Sequence, residues 1–360
     1  MLLLRALMFL LGAGIVIATL LSAMRTFVLP RSAPVKLTRL VFQASRFCFN
    51  LWTHRATTYE ERDRVMALYA PLTLLILPVV WLAVVMGGYT SMFWAIGVES
   101  WRAAFEVSGS SLLTLGFAKV GGMAATILSF SEATIGLILV ALLISYLPTM
   151  YGAFSRRELA VTMLEVRAGT PPTAVELFAR YRRLSRLDLL KELWVTWESW
   201  FADIEETHTS LAALSFFRSP QPDHSWVTAA GAILDAAALA VSALDIPHDT
   251  QANLCIRAGY LALQRIADFF SIIYDPNPSP DDPISISREE FDDACAQLGQ
   301  AGVPLKPDRD QAWRDYKGWR VNYDTVLLRL AALTMAPYAP WSSDRSPAPR
   351  PSTIHIENRR

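Results

Sequence analysis

The chain has 360 residues, of which 52% are hydrophobic and only 18% charged, and its 33 basic and 33 acidic residues leave a formal net charge of zero. With a positive mean hydropathy, this composition excludes an ordinary soluble protein and points to a membrane protein with a sizeable soluble part. The balanced charge gives no footprint for nucleic acid, so no nucleic-acid partner is expected.

Three stretches carry no charge: Ala6 to Met24, Val65 to Val98, and Ala133 to Ser155. Each can cross a hydrocarbon core, which takes about 20 residues of helix. The first defines an N-terminal transmembrane segment over residues 1–29. Arg5 and a poor Leu21-Ser22-Ala23 cleavage site give it some likeness to a signal peptide. The linker over residues 30–64 argues for a retained helix, because Arg25 to Arg64 carries eight basic residues against Glu60, Glu61 and Asp63. Such a loop belongs in the cytoplasm, which sets the N-terminus outside and the C-terminal part inside the plasma membrane.

Within this linker Leu37, Leu40, Val41, Ala44, Phe47, Cys48, Leu51 and Trp52 form one helical face, and Lys36, Arg39, Gln43, Arg46 and Asn50 another. The pattern reads as an amphipathic helix lying on the lipids of the inner leaflet, with a helix packed on the soluble domain as the alternative that the same period allows.

The second apolar run is longer than one crossing needs and contains Gly87-Gly88, so it is divided into a crossing near Met66 to Met86 and a short re-entrant segment from about Tyr89. Backbone at membrane depth that is not helical must be shielded by protein. In that shielded place lies Phe105 to Gly122, "FEVSGSSLLTLGFAKVGG".

Between two membrane helices, Trp101 to Leu113 reads as a pore helix bearing Ser108 and Ser111, followed by Thr114, Leu115, Gly116, Phe117 and Ala118. Over residues 65–155 the chain thus resembles the potassium-channel pore module: outer helix, pore helix, a filter of the form Thr-x-Gly-Tyr/Phe-Gly, inner helix. The resemblance implies an all-α membrane protein with three transmembrane helices, a re-entrant pore helix and filter loop between the second and third, and a cytoplasmic all-α domain behind. It further implies a homotetramer, since four loops supply the carbonyl rings that replace an ion's hydration shell, and potassium or another monovalent cation as the conducted species. Gly136 falls where the family's inner helix has its hinge, and Pro148 removes a backbone hydrogen bond nearer the cytoplasmic end. Three residues depart from the family pattern: Leu113 before the filter threonine, Ala118 for the second filter glycine, and Lys119 after the filter, for which Glu106 and Glu132 are candidate partners. They motivate an alternative, a membrane-anchored sensor or scaffold with a poorly conducting pore.

From residue 156 to 335 the periodicity predicts helices over Arg157 to Val166, Thr173 to Leu184, Leu187 to His208, Trp226 to Leu244, Thr250 to Tyr274, Arg288 to Leu298 and Asp308 to Thr334, with capping boxes at Thr173/Glu176 and Ser287/Glu290. Trp194, Trp197, Phe201 and Ile204 form a core stripe, and Asp235 marks its apolar helix as buried in a domain rather than in lipid. "YDPNPSPDDPIS" reads as a solvated linker and residues 336–360 as a disordered tail. His208 is expected to partner the acids before it. No metalloprotease, phosphate-loop or serine-hydrolase motif appears, so no catalytic residue, metal or cofactor is assigned. Cys48, Cys255 and Cys295 are expected to be reduced.

Overall fold

The computed structural model describes residues 1–27, 36–54 and 56–345. These are all-helical, apart from a single antiparallel bridge between Leu244 and Leu305. In order the helices are α1 (Leu2–Phe27), α2 (Lys36–Thr53), α3 (Tyr59–Ala67), α4 (Tyr69–Ala95), α5 (Trp101–Leu112), α6 (Met123–Ala168), α7 (Ala174–Arg183), α8 (Leu190–Ser210), α9 (Trp226–Ser242), α10 (Thr250–Phe269), α11 (Arg288–Gln300), α12 (Arg309–Arg320) and α13 (Asp324–Thr334). Two units emerge, one of Met1–Thr57 with Val65–Gly152, the other of Thr58–Arg64 with the chain from Ala153 onward. Residues 58–64 therefore group with the second unit and not, as the sequence division had it, with the amphipathic linker.

In the first unit α1, α4 and α6 are each long and apolar enough to cross a membrane. The expected break at Gly87-Gly88 does not occur. Helix α4 runs unbroken through both glycines, and through Pro78, to Ala95. Its end comes at Ile96 and Gly97, the latter at φ +111. The glycines mark a helix crossing instead: a Cβ on Gly12 would lie 2.4 Å from the carbonyl oxygen of Gly88, and one on Gly88 would lie 2.9 Å from that of Gly12. Small residues allow such close backbone approach where lipid supplies no hydrophobic drive between helices. Phe27 then packs its ring on Trp81 and Tyr146 at 5.1 and 4.3 Å, tying α1 to α4 and α6.

The second unit is organised around α8, α9 and α10. Trp194, Trp197, Phe201 and Ile204 are buried, the core stripe expected from their spacing, and Trp200 joins them. Nearly every residue of α9 is buried, including Asp235. Thr173 caps α7 by accepting from the Glu176 amide, and Ser287 with Glu290 makes a complete capping box on α11.

The single helix predicted over Asp308 to Thr334 is two, α12 and α13, broken at Val321–Tyr323. Arg320, at the end of α12, donates to Asp235 Oδ1 at 2.5 Å and Asp324 Oδ1 at 2.7 Å, while Tyr323 reaches Asp235 at 2.9 Å. A straight helix would give up the break from which these groups converge on Asp235. The chain after α13 also differs from expectation. Residues 336–345 are folded: Ala339 and Ser342 are buried, the Trp341 carbonyl accepts from Arg320 at 2.6 Å, and Arg345 pairs with Glu290 at 2.7 Å. The remainder of the predicted tail, residues 346–360, and the linker arginines Arg31 and Arg55 lie outside the described residues.

Candidate functional site

Helix α5 begins at Ser100, whose hydroxyl accepts from the Ala103 amide at 3.1 Å, and Trp101 stacks on Trp94 of α4 at 5.2 Å. Small residues let it seat against its neighbours. Ser108, fully buried, lies 3.1 Å from the Met86 carbonyl of α4 and 2.5 Å from Glu132 Oε1 of α6. A Cβ on Gly136 of α6 would lie 2.2 Å from the Leu112 carbonyl oxygen. Gly136 is thus the point where the C-terminal end of α5 meets α6. Pro148 lies inside α6, which continues through it to Ala168.

After Leu113 the backbone folds back on the end of α5. The amides of Leu115 and Gly116 both donate to the Ser110 carbonyl, at 2.8 and 3.3 Å, and the Thr114 amide donates to Ser111 at 3.0 Å. The Ala118 amide donates to the Ser110 hydroxyl at 3.1 Å. Among the described residues, the carbonyl oxygens of Thr114, Leu115, Gly116 and Phe117 accept no hydrogen bond. The amides of Thr114, Leu115, Gly116 and Ala118 are thus turned inward onto the end of α5, that of Phe117 donates to no described group, and the four carbonyls stay free. Leu115 and Phe117 are exposed, at 61% and 67%.

Two residues adopt positive φ, Thr114 at +56 and Gly116 at +73. Gly116 thus occupies the left-handed conformation that its residue type permits. Ala118, which stands where the family pattern has its second glycine, is not at positive φ; the non-glycine residue of this loop that takes the left-handed conformation is Thr114. That conformation costs a β-branched residue on the order of 1–2 kcal/mol.

Neither candidate partner reaches Lys119. Glu106 pairs with Arg102 one turn earlier at 3.0 Å, and Glu132 faces Ser108 with its second oxygen buried and unpartnered. Lys119 itself is exposed. Ser110, which accepts three amides of the loop, was not distinguished by sequence reasoning from its neighbours. The available signal was the run Ser108-Gly109-Ser110-Ser111, small hydroxyl residues at the end of a helix, where they commonly satisfy following backbone groups.

In the second unit the ionisable groups are held in structural networks. Arg157 is buried and donates to Glu158 Oε1 at 2.8 Å, to the carbonyls of Leu214 and Phe217 at 2.8 Å each, and to His208 Nε2 at 3.3 Å. His208 is thus bound to an arginine, not to the acids preceding it, and its ring packs on Trp226 at 4.6 Å. Burial, with the guanidinium adding to it, pushes the imidazole pKa well below its ordinary value. Among the described residues no cluster of His, Cys, Asp or Glu could hold a metal ion. Cys48 is exposed and Cys255 and Cys295 are buried, all three free thiols. No family model, no curated protein and no solved structure matches this chain.

Proposed function

We propose that the chain is the subunit of a homotetrameric, potassium-channel-like cation channel in the plasma membrane, with Trp101 to Leu113 as pore helix, Thr114 to Ala118 as filter, α6 as inner helix and the second unit on the cytoplasmic side as a gating domain. The observation that carries this reading is the free row of carbonyls at Thr114 to Phe117 beside the C-terminal end of α5. An oxygen-lined path for cations needs acceptors not already used by the fold, and a helix C-terminus adds a favourable partial negative charge. The exposure of Leu115 and Phe117 in a single chain fits a loop completed by three further copies.

The test is reversal potential in planar bilayers under opposed potassium and sodium gradients, with Gly116→Val as control. A valine at φ +73 strains the turn, so the expected result is a potassium-shifted current in the parent and its loss in a normally assembled variant. An assembled Gly116→Val protein that conducts like the parent refutes the filter assignment.

A second reading, a membrane-anchored sensor or scaffold, is favoured by Lys119. Four ammonium groups beside the filter, unpaired by Glu106 or Glu132 within the chain, would oppose cation entry. Absence of current from folded tetramers that respond to Lys119→Gln by conducting would keep the pore and assign the block to this ring. Absence of current from both would favour the scaffold.

A further inference from the structure

Helix α2 carries three lengthwise sectors. Val41, Phe49 and Thr53 are buried, and the rings of Phe49 and Phe42 meet Tyr69 of α4 edge-on at 5.7 and 6.3 Å, with the Tyr69 hydroxyl donating to the Phe42 carbonyl at 3.2 Å. A polar sector holds Lys36, Arg39, Gln43, Arg46 and Asn50. The third, Leu40, Ala44, Phe47 and Leu51 at i, i+4, i+7 and i+11, is apolar and exposed: Leu40 61%, Phe47 70% and Leu51 68%. A helix that served only to pack on its own protein would need one apolar sector. This one has a second.

We infer that the second apolar sector of α2 is embedded in the headgroup boundary of an anionic membrane leaflet. Two features select lipid as the occupant. Tyr69, on which α2 packs, is the first residue of α4, so α2 sits at the end of a membrane-crossing helix, at the depth where the boundary of the bilayer lies. The helix also contains three cations and no acid between Lys36 and Thr53, the charge pattern that complements anionic headgroups. The inference rests on α4 crossing the membrane and not on conduction, so it stands if the protein passes no ions.

The chain supplies its own probe, since Cys48 is exposed beside this sector while Cys255 and Cys295 are buried. A nitroxide is attached to Cys48 of the folded full-length protein, which is placed in nanodiscs of phosphatidylcholine with or without phosphatidylglycerol. Its collision rates with oxygen and with a water-soluble nickel chelate are then compared. Oxygen access exceeding nickel access severalfold in the anionic discs is the expected result, with a shift toward aqueous values in Lys36→Gln/Arg39→Gln and in Leu40→Ser/Leu51→Ser. Three outcomes overturn the inference: nickel access equal to or above oxygen access, which means a solvated face; shielding from both reagents, which means a protein surface covers it; and indifference to phosphatidylglycerol, which removes the anionic leaflet.

Discussion

The two units bury polar groups in opposite ways. In the helical unit every deeply buried charge is met by others: Asp235 accepts from Arg320, Tyr323 and Tyr316, Arg320 also holds Asp324, and Asp324 takes the amide and hydroxyl of Ser285 at 2.8 and 2.6 Å. In the first unit Glu132 is buried against one serine hydroxyl, with its second oxygen unpartnered, and the helices are held by close backbone contact at Gly12, Gly88 and Gly136. A domain that folds in water gains stability by removing large apolar side chains from it, and the second unit has the make-up of such a domain, with Trp194, Trp197 and Phe201 at its centre and its buried charges paired. Helices that exchange lipid for protein gain little from burial and rely on fit. The comparison teaches that a buried acid is met by a cation in the second unit, where even Glu158 with its second oxygen unpartnered is paired with Arg157, whereas Glu132 in the first unit is met by a serine hydroxyl alone.

The contrast is broken most severely by Arg320→Ala, which leaves Asp235 and Asp324 facing each other without their cation. Removing one partner of a buried pair costs about 3–5 kcal/mol, so the thermal transition of the full chain in detergent should fall steeply or lose cooperativity. A change below about 1 kcal/mol, the scale of a surface pair, would mean that the network is not closed to water.

The contact model of the first unit is tested next by Gly88→Leu against Gly87→Ala. A side chain at Gly88 meets backbone and Val16, at a cost of about 1–3 kcal/mol for overpacking. Nothing lies within 4 Å of a Cβ on Gly87, where alanine should gain about 0.5–1 kcal/mol in helix propensity. Equal effects at the two neighbours would remove the crossing as the reason for glycine.

Protons distinguish the units further. Because the folded pKa of His208 is depressed by burial and by Arg157, the unfolded chain binds the proton first. Its contribution is therefore complete above an unfolded pKa of about 6.5 and is lost as pH falls below it, with a slope of up to ~1.4 kcal/mol per pH unit. Urea unfolding of the parent and His208→Gln across this range should diverge in pH dependence; parallel curves would contradict a neutral buried imidazole. The smallest effect is expected of Thr173→Ala, about 1 kcal/mol for a lost cap, with Thr173→Ser restoring most of it in the same unfolding measurement.

Helical class, the three apolar spans, the α5 position and the caps at Thr173 and Ser287 were written in the sequence, because each follows from local periodicity, apolar length or a residue-to-backbone bond within one turn. The glycine at position 116 was legible for the same reason, a conformation intrinsic to its residue type. Tertiary structure alone decided the rest. The sequence divides the second apolar run at Gly87-Gly88, but α4 continues through it and the backbone of α1 lies against Gly88; the approach of the Leu112 carbonyl to Gly136 is likewise visible only in the fold. Ser110 became the anchor of the loop only when residues 114–118 turned back on it. The break between α12 and α13 is set by Asp235, more than 80 residues away along the chain, and the ordering of residues 336–345 by Arg320 and Glu290. Long-range partners of this kind leave no periodic trace, since their positions are fixed by where the chain returns and not by what it is.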